Sequence, residues 1–391
     1  MLAGCETTML ILGIETSCDE TSVALLRADA AHPRAGVEVK ANLIASQVAA
    51  HQAFGGVVPE IASRAHLEAL NPLLAGLSAQ AELDWSELGL IAVTAFPGLV
   101  GALLVGVSAA KALAYAHRIP LVAVNHVAGH VASNFLARPG LELPMLAVVV
   151  SGGHSDLLLV REENGRLAFE RIGRTRDDAI GEAFDKVARV LHLPLPGGPS
   201  LEQAALEGNA RAFDFSVANL EPSFDFSYSG LKTASAQAVH GARSLKQALR
   251  EARDAELDEG KVRDVAASFQ RAAVRQVRRN VERALAQFRP RTLGLCGGVA
   301  ANEPLRHDLA AAAQAVGVEF VVPEKILCTD NAAMIALAGW QHFSALPAEQ
   351  QAFSMRQLQF EARSQAPLGQ APAELKGQAP AELKGAAAGG R

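Results

Sequence analysis

Apolar and polar positions repeat the same short cycle in two parts of the chain. Residues 9–14 are apolar, residues 15–21 are polar with hydroxyls and carboxylates, and residues 22–26 return to the apolar pattern. Residues 145–150 begin a second cycle, which passes through a glycine-rich turn into the apolar residues 156–160. Each cycle predicts a β-hairpin whose turn is polar or glycine-rich. The two starts lie about 135 residues apart, which indicates two related lobes with a cleft between them.

Helical patterns follow most of the other apolar runs. An Ala-rich pattern predicts a helix that ends near Ala116, and Pro59 occupies a position that is typical of a helix start. Glu60, Arg64 and His66 follow on that second helix and are interpreted as a solvated face. Four further runs predict buried strands, at residues 89–94, 119–124, 292–296 and 318–322. Strands that alternate with helices in this way indicate an α/β fold.

The composition favours a soluble protein with a large core. The chain has 391 residues, of which half are hydrophobic and 20% are charged, so two domains are expected and disorder is not. No apolar run approaches the roughly 20 residues of a membrane span, and the N-terminus lacks the pattern of a signal peptide. Four cysteines have no metal-finger spacing, which suits a reducing compartment. We therefore expect a cytoplasmic protein without a membrane partner.

The charge of the chain limits the kinds of partner it can have. A formal net charge of −5 argues against a generic nucleic-acid coat protein, although a local basic face remains compatible with it. Arg271, Arg275, Arg278 and Arg279 recur at roughly helical spacing. We interpret them as a solvated helix face, with a phosphate-binding stripe as the alternative.

The C-terminal residues differ in kind from the rest. Residues 369–376 are repeated as residues 377–384, and small residues come after the second copy. Two eight-residue copies are too few for a solenoid, and their Pro and Gly content opposes stable packing. We predict that residues 365–391 form a low-complexity, mostly disordered tail. A docking peptide for a partner is the alternative.

Two histidines one helical turn apart are a candidate metal site. If the segment after residue 124 is helical, His126 and His130 project from the same face, and two neutral imidazoles can bind one transition metal. Asp330 lies before a second apolar helix and is either a third ligand or a helix cap. Zinc proteases with this spacing carry a Glu beside the first His, where this chain has Val127, so that class is excluded. The alternative is two polar residues on an ordinary helix.

Three glycine turns that are expected to follow apolar strands predict a nucleotide cleft. They occupy residues 151–154, 196–199 and 297–298. Glycine allows backbone N–H groups to approach an anion closely, and Asp185 and Asn302 are available for a ribose or a base. A single turn of this kind is more often only a tight turn. The GxxxxGK[ST] and GxGxxG patterns are both absent, so neither a P-loop nor a Rossmann site is expected.

Eight motifs in the same order resemble one family. The chain is similar over about residues 9–345 to the tRNA threonylcarbamoyladenosine biosynthesis transferases, a universal family formerly called O-sialoglycoprotein endopeptidase, in its bacterial TsaD-like form. Each motif alone is modest, but eight in order are highly specific. They occupy residues 12–21, 55–66, 97–101, 125–130, 150–154, 181–186, 228–233 and 297–302.

The resemblance implies a fold and a reaction. The fold would be the actin/Hsp70/sugar-kinase-like (ASKHA) fold, with two RNase H-like lobes around a nucleotide cleft. Its parts would be an N-terminal lobe at residues 9–135, a C-terminal lobe at 144–325, and a helix at 326–345 that completes the metal site and packs on the N-terminal lobe. The chain would transfer threonylcarbamoyl from threonylcarbamoyl-AMP to adenosine 37 of tRNAs that read codons starting with A, and release AMP.

The resemblance also implies roles for particular residues. His126, His130 and Asp330 match the ligands of one divalent metal, with Fe²⁺ expected and Zn²⁺ or Mg²⁺ as alternatives. Asp19 and Glu20 lie in the opening motif and would orient the reaction or couple it to partners. Some relatives have Asp at the position of Glu202, which leaves that contact in doubt. The substrate, with its ATP/AMP-type nucleotide, would contact Val150, Ser151, Gly152, Gly153, His154, Asp185, Gly198, Glu202 and Asn302.

The expected partners are implied by the same resemblance. They are tRNA, threonylcarbamoyl-AMP, a paralogous non-catalytic subunit of the same fold (TsaB-like), a small P-loop ATPase (TsaE-like) and, upstream, the synthetase that forms the carrier. Two other functions are kept as alternatives. A non-catalytic, ATPase-like scaffold would not need the metal trio. A metallopeptidase would need an activating carboxylate next to the histidine pair, where Val127 stands.

Overall fold

Two five-stranded sheets with the same topology form the centre of the structure. The computed structural model describes residues 8–52, 54–242, 244–251, 256–354, 358–365 and 368. The first sheet has the strand order β3-β2-β1-β4-β5. Its strands are β1 (Thr8–Glu15), β2 (Glu20–Asp29), β3 (Val37–Ser46), β4 (Leu88–Phe96) and β5 (Leu121–Asn125). In it β1 to β3 pair antiparallel, whereas β4 pairs parallel with both β1 and β5.

The second sheet repeats this arrangement with the next five strands. They are β6 (Met145–Val150), β7 (Ser155–Glu163), β8 (Arg166–Arg174), β9 (Thr292–Cys296) and β10 (Glu319–Val321). Their order is β10-β9-β6-β7-β8, with β6 to β8 antiparallel and with β9 parallel to both β6 and β10. The predicted α/β class is confirmed, and each predicted hairpin forms. The repeated order is also what two related lobes require, but the exact lobe boundaries stay a prediction.

Thirteen α-helices surround the sheets in the described part of the chain. They are α1 (Val48–Gln52), α2 (Pro59–Gln80), α3 (Val100–His117), α4 (His126–Ala137), α5 (Ile180–Val190), α6 (Gly197–Ala205), α7 (Ser229–His240), α8 (Leu245–Glu251), α9 (Glu259–Phe288), α10 (Glu303–Ala315), α11 (Lys325–Cys328), α12 (Ala332–Ser344) and α13 (Ala348–Ser354). Pro59 begins α2 as predicted, because proline fixes a helical φ where no N–H is needed.

The core has three main apolar layers, and alternate residues of each central strand contribute to two of them. Leu12 and Ile14 of β1 face α2 and α3, whereas Ile11 faces a layer shared with α4, α12 and the second sheet. The third layer lies beyond the second sheet, against α5, α7, α9 and α10. This period-two alternation is what burial of both faces of a strand requires. The middle layer joins the sheets, so α4 and α12 are held between them.

Helix α3 is the one helix among the described residues with the length and hydropathy of a membrane span. A third of that segment is buried, and its buried residues, such as Leu103 and Val107, pack in the layer beside β1 and β4. One such helix is weak evidence for a membrane span. The predicted cytoplasmic location stays a prediction.

Gly13 lets α12 lie directly against β1. A Cβ at this position would stand 2.2 Å from the carbonyl oxygen of Ala332, closer than real contacts allow. The first turn of α12 therefore approaches the β1 backbone, which brings the residues before α12 to the carboxyl end of the first sheet. Ser22 strengthens this contact, since its Oγ accepts a hydrogen bond of 2.9 Å from the Ala332 N–H.

The arginines of α9 fasten a preceding loop. Arg275 donates to the carbonyl of Phe215 at 2.8 Å, and Arg279 donates to the carbonyl of Ala218. Arg275 is exposed, as the predicted solvated face requires, whereas Arg279 is only partly exposed. Both residues direct a donor at a backbone carbonyl, which does not favour the phosphate-binding alternative. Of the predicted tail at residues 365–391, all but 365 and 368 lie outside the described residues.

Candidate metal and nucleotide site

Helix α4 presents both histidines toward the carboxylate of Asp330. Asn125 caps the helix by accepting a hydrogen bond of 2.8 Å from the Val127 N–H, so α4 begins directly at His126. The imidazoles of His126 and His130 are buried, with ring centroids 4.6 Å apart. Asp330 Oδ1 lies 3.5 Å from His126 Nε2 and 3.2 Å from His130 Nε2. One candidate ligand atom from each of the three residues lies within 4.8 Å of the others.

The neighbouring residue leaves the Asp330 carboxylate available. Asn331, not Asp330, is the N-cap of α12, and its side chain accepts a hydrogen bond of 3.0 Å from the Met334 N–H. The cap interpretation of Asp330 is therefore wrong. Because α12 approaches β1 at Gly13, Asp330 reaches the histidines although some 200 residues of chain separate them.

Glu15, which was not predicted as a site residue, fixes the orientation of His126. Its carboxylate is completely buried, and Oε2 lies 3.1 Å from His126 Nδ1. The remaining acceptor capacity takes hydrogen bonds of 2.5 Å from the Ser17 N–H and from Thr94 Oγ1. With Nδ1 directed at a carboxylate, Nε2 is left facing Asp330. Carboxylates orient metal-binding histidines in this way and raise their basicity.

The cluster fits a bound cation. Both ring nitrogens of His130 are buried; Nε2 faces the Asp330 carboxylate at 3.2 Å, and Nδ1 has no hydrogen-bond partner in the described structure. Burial lowers the pKa of His130 and so favours the neutral ring that a metal requires. Burial also acts to lower the pKa of His126, but the charges of Asp330 and Glu15 outweigh it and raise that pKa to about 9. Two carboxylates thus draw positive charge to this position, and a divalent ion can supply it in place of the proton.

Asp19 and Glu20 lie beside the cluster, at the turn between β1 and β2. Burial, followed by the charges of Asp330 and Asp19, raises the pKa of Glu20 to about 10. His66 holds this turn in place. Its Nε2–H donates to the Cys18 carbonyl at 3.0 Å, and its Nδ1 accepts from Thr21 Oγ1 at 2.8 Å. His66 is fully buried, so its assignment to a solvated face is wrong.

The turn between β6 and β7 lies on the second sheet and faces the cluster of His126, His130 and Asp330. Its ends are closed by hydrogen bonds from the Ser151 N–H to the His154 carbonyl at 2.9 Å and from the His154 N–H to Ser151 Oγ at 3.1 Å. The His154 ring centroid lies 6.2 Å from that of His126. A Cβ added at Gly152 or Gly153 would meet nothing within 4 Å. Both backbone segments therefore border open space next to the histidines.

Asp185, Gly198, Glu202 and Asn302 form a separate wall. Asp185 Oδ1 accepts a hydrogen bond of 2.6 Å from the Gly197 N–H, which joins α5 to α6. Glu202 Oε1 accepts from the N–H of residue 303 at 2.9 Å, which joins α6 to α10. Among the described residues, no hydrogen bond or ion pair links this wall to the histidines. Gly198 borders open space as Gly152 does.

Asn302 and Val150 have contacts that limit the roles predicted for them. Asn302 caps α10 by accepting from the Leu305 N–H at 3.1 Å and donates to Gln270 Oε1 at 2.9 Å. The Val150 side chain is fully buried, and a Cβ at Gly297 would stand 2.3 Å from the Val150 carbonyl oxygen. Val150 therefore exposes no atom to a ligand in this structure, and its predicted contact with the substrate stays a prediction.

A groove of about 690 Å³ lies elsewhere, at the amino ends of β9 and β10. Leu285, Pro290 and Val316 line it together with charged residues, and none of the predicted site residues does. Ligands of open α/β sheets bind at the carboxyl ends of the strands, where the histidines and the glycine turns at residues 151–154 and 297–298 lie. The turn at residues 196–199 instead joins α5 to α6, so the prediction that it follows a strand is wrong. Chemistry and topology therefore both favour the histidine end.

Comparison with known proteins identifies the family of the chain. Residues 38–337 match the family described as TsaD, tRNA N6-adenosine threonylcarbamoyltransferase. The chain belongs to the TsaD family. A relative of that name from Desulfitobacterium hafniense (strain Y51) is 49% identical over 334 residues, which are 85% of this chain and 92% of the relative. One from Moorella thermoacetica (strain ATCC 39073 / JCM 9320) has the same identity and coverage. The predicted family is confirmed, and it is a family of transferases that act on tRNA.

A solved structure of similar fold supports the predicted architecture. The crystal structure of T. kodakarensis HypF matches with a TM-score of 0.53 and 14% identity, over 89% of this chain and 49% of that one. At this identity the likeness concerns the fold alone. Together with the repeated strand order it is consistent with the predicted actin/Hsp70-like fold.

Proposed function

We propose that this TsaD-family member transfers threonylcarbamoyl from threonylcarbamoyl-AMP to N6 of adenosine 37 in tRNAs that read codons starting with A. The observation that carries the proposal is the buried cluster of His126, His130 and Asp330, which faces the open glycine turn at residues 151–154. The carbamoyl carbonyl of the donor would bind between these two features. The side chains of the cluster would lie on one side of it, and the backbone N–H groups of the glycine turn on the other.

The cluster would hold one divalent ion, for which we propose Fe²⁺, with Zn²⁺ or Mg²⁺ as alternatives. When bound, the ion would supply Lewis-acid polarisation of the donor. His126, His130 and Asp330 would be its ligands, and Glu15 would hold the ring of His126 in place. The geometry supports this assignment, because the Nε2 atoms of both buried imidazoles face one carboxylate oxygen of Asp330, at 3.5 and 3.2 Å.

The glycine turn would bind the developing negative charge. The N–H groups of Gly152 and Gly153 border open space and can donate to a phosphate or to an oxyanion. In the reaction the adenosine N6 forms a bond to the carbamoyl carbon, the bond from that carbon to the phosphate oxygen breaks, AMP leaves, and N6 loses a proton. We expect no covalent enzyme intermediate. Ser17 Oγ lies 3.1 Å from His126 Nδ1, but Ser17 is only 2% exposed, and the same nitrogen also faces Glu15, so this hydroxyl is poorly placed to attack a substrate.

The remaining predicted residues would bind the donor nucleotide or position the turn. Asp185, Gly198, Glu202 and Asn302 lie on the α5–α6–α10 wall, where we propose that the adenosine part of the donor binds. Asp19 and Glu20 would orient the reacting groups beside Asp330. As partners we propose tRNA, a TsaB-like paralogous subunit, a TsaE-like P-loop ATPase and the synthetase that forms the donor.

The two alternative functions are less consistent with the site. A scaffold without chemistry has no need for two buried imidazoles that face one carboxylate. A peptidase needs a carboxylate that is free to activate water. Glu15 is next to His126, but its oxygens already accept from Ser17, Thr94 and His126. It is therefore a poor general base.

One assay separates the transferase from the scaffold. The full chain is incubated with threonine, bicarbonate, ATP, the donor-forming synthetase, the partner subunits and unmodified tRNA, and nucleosides are then analysed by mass. We expect threonylcarbamoyladenosine only when this chain is present. Unmodified adenosine in both reactions, with a relative's enzyme active under the same conditions, would reject the proposal.

A further inference from the structure

Two arginines on β8 lie on the face that is directed toward the middle layer and the histidines. In the β7–β8 register Asp156 is opposite Arg174 and Leu158 is opposite Arg171. An irregularity between residues 157 and 158 places both arginines on the same face although they are three residues apart. Phe169 shares this face and packs in the layer between the two sheets.

A buried carboxylate lies between the two arginines. Asp156 is 4% exposed, and its Oδ2 has no hydrogen-bond partner in the described structure. The Nη2 of Arg171 stands 3.6 Å from that oxygen, an ion pair without a hydrogen bond. In the described part of the chain neither a hydrogen bond nor an ion pair engages the guanidinium of Arg174. Both cations are exposed, so each has donors to offer to a ligand.

The pair lies next to the candidate site. Asp156 follows His154 by two residues, and the His154 ring lies 6.2 Å from that of His126. Arg174 is opposite Asp156 at the end of the hairpin that carries the glycine turn, and Arg171 pairs with the same carboxylate, so both cations lie near that end of the sheet. Arg176, the next arginine along, is already paired with Asp225 at 2.9 Å and is not part of this feature.

We propose that Arg171 and Arg174 bind phosphates of the tRNA strand that carries the target adenosine. The inference rests on the proposed function, since it needs tRNA as the substrate. Guanidinium groups match phosphate geometry with two parallel donors, and they bind the backbone independently of base sequence. β8 is an edge strand, so its rim is open to an extended polyanion. A chain of net charge −5 needs such local cations to bind RNA at all.

The test compares two double variants of the full chain. Arg171→Ala/Arg174→Ala removes the proposed contacts. Arg161→Ala/Arg166→Ala removes two exposed arginines at the far end of the same hairpin, so it changes the net charge equally. Affinity for an unmodified tRNA transcript is measured from about 50 to 200 mM salt. We expect the first variant to reduce the slope of log K against log salt by about 2, one unit for each lost phosphate contact. The control should keep the slope.

Further measurements keep the outcome unambiguous. Arg171→Ala leaves Asp156 without its partner, so Arg174→Ala alone is included, with an expected slope change of about 1. Wild-type transfer activity is measured in parallel as a report on the proposed function, and AMP affinity is measured for the wild type and for both double variants. If both double variants have the same salt slope and the wild type is active, the arginines do not contact tRNA. The proposed transferase function would not be affected by that result. Loss of AMP affinity in the arginine variant would instead assign the cations to the donor and also overturn the inference.

Discussion

The two hairpin turns at equivalent positions of the two sheets have opposite chemistry. The turn after β1 is filled with buried side chains, since Glu15, Thr16 and Ser17 are at most 2% exposed and hydrogen-bonded to distant elements. In the turn after β6, Gly152 and Gly153 are exposed and border open space. The same backbone topology thus offers organised side chains on one side of the site and accessible backbone on the other.

This difference indicates that the two turns have different roles at the site, one in metal binding and one in donor binding. A metal ion needs ligands at fixed distances, and fixed distances need side chains whose own hydrogen bonds are satisfied, as those of Glu15 are. An anionic donor needs N–H groups that it can approach closely, which glycine provides. If the division is real, mutations in the first turn should alter metal binding, and mutations in the second should alter donor binding.

The largest effect is expected from the metal ligands. His126→Ala should lower bound metal, measured by elemental analysis of the purified chain, and should reduce transfer by about 10²-fold or more, roughly 2.7 kcal/mol. AMP binding, measured by calorimetry, should persist, because it uses the glycine turns on the other sheet. His130→Ala and Asp330→Ala should behave alike.

Double variants sharpen this prediction. Ligands of one ion act as a unit, so His126→Ala/Asp330→Ala should be little worse than either single variant. If all three single variants transfer normally in metal-free buffer, the histidines are ordinary buried polar groups. The two turns would then not be divided between metal binding and donor binding.

A smaller effect is expected from the residue that orients His126. Glu15→Gln keeps the shape of the side chain but removes its charge, so metal affinity should fall by about 10- to 100-fold. Transfer should recover when metal is added in excess, which a loss of folding would not allow. Asp84→Asn, an exposed cap of a 3-10 turn, is the control and should keep wild-type affinity. Unchanged metal affinity in Glu15→Gln would show that the contact between Glu15 and His126 Nδ1 does not contribute to metal binding.

The glycine turn should give a further, weaker effect. Gly152→Ala adds a methyl group to open space, so the melting temperature should change little, but donor or AMP affinity should fall by about tenfold. Gly230→Ala also adds a methyl to open space, on α7, and should change neither. By contrast, a Cβ at Gly181 would stand 2.7 Å from the Ser151 carbonyl oxygen, so Gly181→Ala should destabilise the turn itself. Normal AMP affinity in Gly152→Ala would remove the turn from the donor site.

The parts of this structure that could be predicted from the sequence are those that leave a local pattern in it. Apolar runs predicted the central strands, and the spacing of His126 and His130 predicted their common face. β3 and β8 were missed because they are edge strands with exposed charged side chains and lack an apolar run. Glu15 was missed for another reason. Its partners Thr94 and His126 are 79 and 111 residues away, and no local pattern records such contacts.

The smallest effect is expected from the C-terminal repeats. Packing contacts of the described chain extend to Leu368, which lies against the middle layer, and Phe360 lies under the ammonium group of Lys111 at 4.7 Å. Deleting residues 369–391 removes only the Gly/Pro-containing repeats and the small residues at 385–391, a composition that cannot bury much apolar area. Transfer should stay within about twofold of wild type, and the melting temperature should stay within a few degrees of it.

A longer deletion is the contrast. Deleting residues 358–391 also removes Phe360 and the backbone hydrogen bond of 2.9 Å from Arg363 to Ala95, so it should lower the melting temperature further. A loss of more than tenfold in transfer from the shorter deletion alone would mean that the repeats dock a partner.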